Sequence, residues 1–220
     1  MTMMLYAHPF ASYCQKALIA LYEKRLTFEY RRVGQPGEDG AMAELRQLWP
    51  FGKFPVLVDD GRPLIEASII IEHLDLHYPG PVRLIPEQGD AALEVRFWDR
   101  FFDNYVHAPM QAIVGDALRP DGQHDPVGVR QSRETLEIAY AWLEKRLAGR
   151  EWVCGDGFSL ADCAAAPALF YADWVHPIAD GLPEVRAYRA RLNARPSFAR
   201  AIDEARPYRS FFPLGAPDRD

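Results

Sequence analysis

Gly52 to Leu76 reads GKFPVLVDDGRPLIEASIIIEHLDL, and the fold is decided there. Two short apolar runs, Pro55 to Val58 and Pro63 to Ile65, flank Asp59-Asp60-Gly61-Arg62, whose Asp-Gly step is a strong signal for a tight hairpin turn. A helix is predicted to follow at once. Pro55 stands at the first position of its strand, where a missing N–H is tolerated, and a cis bond to Phe54 would turn the Phe54 main chain outward toward a ligand. Such a strand edge can bind a peptide-like molecule.

Toward the N-terminus, Met3 to Tyr6 reads as a short apolar strand and Ala7-His8-Pro9-Phe10-Ala11 as an irregular turn. Ser12 is then placed to cap a helix running to about Lys24, with Cys14, Ala17, Leu18 and Leu21 recurring on one side. Leu26, Phe28 and Tyr30 alternate with Thr27, Glu29 and Arg31, the period of a strand expected to lie parallel to the first. Val33 to Gly40 reads as a loop and Ala41 to Leu48 as a short helix, so the order up to Tyr78 is βαβ, a helix, then ββα.

Beyond the hairpin and its helix, Tyr78 to Pro86 carries three prolines and reads as a linker. After Gly89 the pattern is helical throughout. The spacing predicts one long helix from about Asp90 to Leu118, bent at Pro109 because a mid-helix proline removes a hydrogen bond. A second helix spans Val127 to Leu147, and a third opens at Ser159, where Ser159-Leu160-Ala161-Asp162 is a capping-box variant before an apolar run. Two shorter helices follow near Leu182–Asn193 and Ser197–Arg206, and the last stretch, rich in Pro and aromatic residues, is expected to pack over the surface.

Lys53-Phe54-Pro55-Val56-Leu57 followed by Leu64-Ile65-Glu66-Ala67-Ser68 and the apolar helix behind it resembles the glutathione transferase family. The resemblance covers nearly the whole chain. It implies an α/β thioredoxin-like N-terminal domain over residues 1–78, a linker over 79–88 and an all-α helical-bundle domain over 89–220. In that family the matching proline is cis and the residue before it pairs main chain to main chain with the cysteinyl part of glutathione. The resemblance therefore implies that Lys53, Phe54, Pro55, Glu66, Ala67 and Ser68 bind glutathione, used as a substrate with no metal. It also implies a homodimer that conjugates the thiolate to a small hydrophobic electrophile. A glutathione-dependent thiol reductase and a non-catalytic binding or assembly module are the alternatives. The Ser159/Asp162 pair matches a folding cap of the family.

Two departures bear on the chemistry. The segment Phe10-Ala11-Ser12-Tyr13-Cys14 is similar to the family's bacterial Ser-Ser-Tyr-Cys version, but Ala11 occupies the position of the catalytic hydroxyl. A free thiol with a pKa near 8.5 must be lowered by about 2 units to be largely ionised at pH 7, which is roughly 2.7 kcal/mol. One hydrogen bond to the thiolate, worth about 1.5–3 kcal/mol, at the positive end of a helix is enough. Ser12 is the nearest replacement and Tyr6 the second choice; Ser12 could equally be a plain helix cap. The family's acidic-Ser pair is here Glu66-Ala67, with the serine displaced to Ser68, so Glu66 and the N–H groups at the helix start are left to hold the γ-glutamyl end. Phe10, Phe101 and Tyr105 are assigned to the hydrophobic wall by the same resemblance.

The rest of the composition narrows the class. In 220 residues the formal net charge is −6 with no dense Lys/Arg run, which argues against nucleic acid or an anionic membrane as the partner. No stretch approaches a membrane span. MTMMLYAHPF lacks a basic region before a long apolar core, so a cytoplasmic location is expected. Cys14, Cys154 and Cys163 form no C-x-x-C motif, and Cys14 is expected to be a buried, inert core residue. His73 and His77 have metal-ligand spacing but no evident third ligand, and are expected on a solvated face.

Overall fold

The computed structural model describes residues 3–34, 37, 39–87, 89–155 and 157–220. Strands β1 Met3–Ala7, β2 Glu29–Arg32, β3 Val56–Asp59 and β4 Arg62–Ile65 form one mixed sheet in the order β2-β1-β3-β4. Strand β2 lies parallel to β1 because helix α1, Ser12–Glu23, carries the chain back between them. The β3–β4 hairpin closes through Asp60 at φ 44° and Gly61 at φ 82°, the two positive angles that an Asp-Gly turn supplies. The Phe54-Pro55 bond is cis. Helix α2, Asp39–Leu48, begins two residues before the predicted start, and Gln35, Pro36 and Glu38 of the expected Val33–Gly40 loop lie outside the described residues.

Period-two alternation sorts the sheet's side chains between two layers. Leu5, Ala7, Leu57 and Leu64 face the main core with helices α1 and α3, the latter Ala67–His77, while Tyr6 and Val56 pack on the other face with Val33 and with Leu45 of α2. The register pairs Tyr6 with Val56 and Val56 with Ile65. Hence the end of β1, the start of β3 and the end of β4 meet at one edge of the sheet, and the three segments beyond them converge: His8 to Ser12, Lys53 to Pro55, and Glu66 to Ser68.

The remaining elements are α4 Asp90–Phe101, a π-helical turn Phe102–His107, α5 Ala108–Ala117, α6 Pro126–Leu147, α7 Leu160–Val175, α8 Pro183–Ala194, α9 Pro196–Ala205 and a 3-10 turn Arg206–Phe211. The long helix expected from Asp90 to Leu118 is thus interrupted before Pro109 rather than bent at it. Pro109 has no N–H to return to the carbonyl four residues back, and the chain absorbs the loss by widening the preceding turn, where the Ala108 N–H reaches the Asp103 carbonyl. Helix α7 is buried along nearly all of its length and packs against α1, α4, α5 and α8, so it forms the axis of the helical part. Its start is held by the buried Asp162 carboxylate, which accepts from Ser159 N at 2.8 Å, Ser159 Oγ at 2.8 Å and the Tyr188 hydroxyl at 2.5 Å. The predicted capping box is present.

Candidate functional site

Two of the converging segments, Phe10 to Tyr13 and Gly52 to Phe54, form one side of a cleft of about 700 Å³, while Glu66, Ala67 and Ser68 lie outside its lining. Phe10, Ala11, Ser12 and Tyr13 come from the turn after β1, and Lys53 and Phe54 from the turn before the cis proline. Met110, Gln111 and Val114 of α5 face them, Tyr171 of α7 lies behind, and Phe211 and Phe212 close the far side. The turn is held rigidly: Gln15 donates to the Pro9 carbonyl at 3.0 Å and to the Tyr171 hydroxyl at 3.1 Å, and that hydroxyl donates to the Phe10 carbonyl at 3.3 Å. His8 accepts from the Phe10 N–H through Nδ1 at 3.1 Å and packs edge-on against Tyr208. The aromatic tail therefore packs over this edge of the sheet.

Ser12 does not cap α1. Ala11 holds the cap position with extended angles, φ −88° and ψ 120°, and Ser12 is the first helical residue. Its side chain is buried, with Oγ 2.6 Å from His107 Nε2 and accepting from Gln111 Nε2 at 3.2 Å. Tyr6, the second choice, turns away from the cleft because it is out of phase with Leu5 and Ala7; its hydroxyl donates to Glu44 at 3.0 Å, and burial and that bond push its pKa up. Cys14 is fully buried, and burial pushes its thiol up to about 12, so it is a core residue.

Of the other residues implied by the resemblance, Lys53 and Phe54 line the cleft and Pro55 is buried behind them. Glu66 is exposed and carries φ 72°, a left-handed conformation rare outside glycine that clusters at ligand sites. Among the described residues the N-cap Glu66 makes no side-chain cap bond to α3, which leaves the N–H groups at the helix start open to an anion. The Ser68 hydroxyl, in contrast, is committed inward: it donates to Asp99 at 2.9 Å and accepts from Lys16 at 2.9 Å and from Arg100. Lys16 is fully buried in this cluster, 2.6 Å from Asp99 and 2.8 Å from Asp103.

Phe10 lines the cleft, edge-on to Tyr171 at 5.5 Å. Phe101 and Tyr105 fall outside it. Phe101 is buried among Trp98, Phe102 and Trp142, and Tyr105 is half exposed beside Phe101. Apolar side chains that do line it are Met110, Val114 and Phe212, which an aromatic-rich helix start did not signal. His77 is exposed, as expected, whereas His73 is partly buried and bonds Asp59 at 2.8 Å. Among the described residues no group of three His, Cys, Asp or Glu could hold a metal ion, and no helix is long and apolar enough to cross a membrane.

Residues 5–82 match the family described as Glutathione S-transferase, N-terminal domain, and residues 126–191 match Glutathione S-transferase, C-terminal domain. A probable maleylacetoacetate isomerase of Vibrio cholerae is 31% identical over 212 residues, which cover 94% of this chain and 98% of the relative. A glutathione S-transferase of Methylobacillus flagellatus, solved with glutathione bound, is similar at a TM-score of 0.80 and 27% identity, over 91% of this chain and 98% of that one. Another, from Methylobacterium radiotolerans and in complex with glutathione sulfonate, gives 0.78 and 27% over 92% and 95%. With the four-stranded sheet, the cis proline and the helical second part, these matches agree on one conclusion: the chain belongs to the glutathione S-transferase family.

Proposed function

We propose that the protein binds glutathione across the sheet edge and conjugates its thiolate to a small hydrophobic electrophile. The observation that carries the reading is the single cleft that brings a buried hydroxyl at a helix start, the main chain before a cis proline and an apolar wall together. Phe54 supplies main-chain pairing to the cysteinyl part, Glu66 accepts from the γ-glutamyl ammonium, and the open N-terminus of α3 receives its carboxylate. Ser12 then donates to the sulfur as it ionises, and Phe10, Met110, Val114 and Phe212 hold the apolar acceptor.

Thiol reduction through Cys14 is disfavoured by its burial and raised pKa. Isomerisation, the activity suggested by the name of the Vibrio cholerae relative, would use the same thiolate on a different acceptor. Conjugation of glutathione to a generic aromatic halide, run beside disulfide reduction, tests the proposal: conjugation without reduction is expected. Activity in reduction alone, or silence in both with binding retained, would replace it with the reductase or the binding module. Lys53→Ala is expected to raise the KM for glutathione about three- to tenfold with kcat little changed, because an exposed ion pair to the glycyl carboxylate contributes about 1 kcal/mol equally to ground and transition states.

The reading includes the division into a thioredoxin-like domain, linker and helical domain at residues 1–78, 79–88 and 89–220, and a homodimer. Leu93, Phe97, Ile138 and Trp142 expose large apolar surface, with the Phe97 and Trp142 rings edge-on at 5.9 Å, a patch suited to a second copy. Sedimentation equilibrium should give twice the chain mass of 25.0 kDa. A single-chain mass at micromolar concentration would remove the dimer from the proposal.

A further inference from the structure

Ser12 Oγ has two lone pairs and one hydrogen, and their partners can be assigned. Gln111 Nε2 can only donate, so it occupies one lone pair at 3.2 Å. His107 Nε2, at 2.6 Å, either accepts from the hydroxyl or donates to it. Gln111 Nε2 also lies 3.5 Å from His107 Nε2, too long a contact to decide between them, and the choice falls to the other ring nitrogen. His107 is fully buried, its ring stacked on Tyr13 at 3.8 Å with 9° between the planes, and its Nδ1 has no hydrogen-bond partner among the described residues. A proton on Nδ1 would bury an unpaired N–H, whereas a proton on Nε2 leaves only an unpaired lone pair, the less costly defect. His107 therefore donates through Nε2.

We infer that His107 and Gln111 are positioning residues that together occupy both lone pairs of Ser12 Oγ, so that its hydrogen is presented to the glutathione sulfur. This rests on the proposed glutathione transfer and adds to it residues 95 and 99 positions away in the chain. The π-helical turn Phe102–His107 sets the phase that aims His107 inward at the start of α1. His107 does not act as a base. Burial, with the Lys16 ammonium nearby, lowers its pKa to about 3, so at pH 7 the ring is neutral. The thiol proton leaves through the open cleft to water, and Ser12 donates to the resulting thiolate. With an aromatic halide, the sulfur lone pair then forms the C–S bond and the halide departs with its bonding pair.

The test is ultraviolet titration of bound glutathione, with turnover of an aromatic halide, in the wild type, Ser12→Ala, His107→Phe, His107→Gln and the Ser12→Ala/His107→Phe double variant. Phenylalanine keeps the stacked ring and removes the donor; glutamine restores a donor at the reach of Nε2. We expect His107→Phe to raise the thiol midpoint by about one unit and, with the midpoint crossing pH 7, to lower turnover at that pH about threefold. The KM for glutathione should stay within about twofold, and His107→Gln should recover most of the loss. On the Ser12→Ala background His107→Phe should add nothing, because it acts through that hydroxyl. Should His107→Phe fail to fold, Gln111→Leu at the cleft surface must give a smaller shift in the same direction. A midpoint moved by Ser12→Ala but by neither His107→Phe nor Gln111→Leu would overturn this inference alone. Failure of the wild type to bind glutathione would overturn the proposed function and this inference with it.

Discussion

Lys16→Met should destabilise the protein by about 3–5 kcal/mol, the penalty for leaving buried charge without its partner. Lys16 is fully buried between Asp99 at 2.6 Å and Asp103 at 2.8 Å and also donates to Ser68, so it ties α1 to α3, α4 and the π-helical turn. Arg100 touches the same carboxylates but its side chain is half exposed, so it can compensate only in part. Burial already raises the pKa of Asp103 in the wild type. Without Lys16 the Asp103 carboxyl would be raised further above its unfolded value. A carboxyl so raised binds more protons folded than unfolded, so the deficit is fully felt at neutral pH and shrinks as the pH falls through the carboxylate range. For a chain of this size the melting temperature should fall by roughly 10 °C at pH 7. Thermal melts at pH 7 and pH 4.5, with Lys16→Met/Asp103→Asn recovering part of the loss, check the argument. A change of less than 1 °C would show that Arg100 already balances the cluster.

Ser12→Ala should raise the pKa of bound glutathione by up to about 2 units and so lower turnover at pH 7 about tenfold or more, since a midpoint returned toward 8.5 leaves only a few per cent of the thiol ionised at that pH. The KM for glutathione should change little, because Phe54, Glu66 and Lys53 hold the rest of the tripeptide. Ala11→Ser, which restores the family's residue, should then add little. The reverse pattern, an inert Ser12→Ala with a marked gain from Ala11→Ser, would mean that Ser12 serves only to fix the start of α1 against His107.

What was legible in the sequence was local. The Asp-Gly turn, the Glu66–Ser68 helix start and the Ser159/Asp162 cap are each specified by residues a few positions apart, and the structure has all three, while β3 starts one residue after Pro55. Strand alternation could also have excluded Tyr6, because it is out of phase with Leu5 and Ala7 and must face α2. Ser12's partners were not legible. His107 and Gln111 reach it from a helix whose phase is reset by the π-helical turn, and the wider hydrogen bonding that absorbs Pro109 leaves no composition signal. Phe101 and Tyr105 were misplaced for the same reason: an aromatic-rich stretch marks a helix but not which side meets the cleft. Ser68 looked like a displaced ligand residue, and only the packing shows its hydroxyl consumed by Lys16, Asp99 and Arg100.

Ultraviolet titration of glutathione bound to the wild type, with Ser12→Ala and Tyr6→Phe alongside, tests the thiolate claim most directly. The expected midpoint lies about 2 units below the free thiol's value near 8.5, returns toward it in Ser12→Ala and does not move in Tyr6→Phe. A wild-type midpoint at the free value, or one displaced only by Tyr6→Phe, would contradict the account.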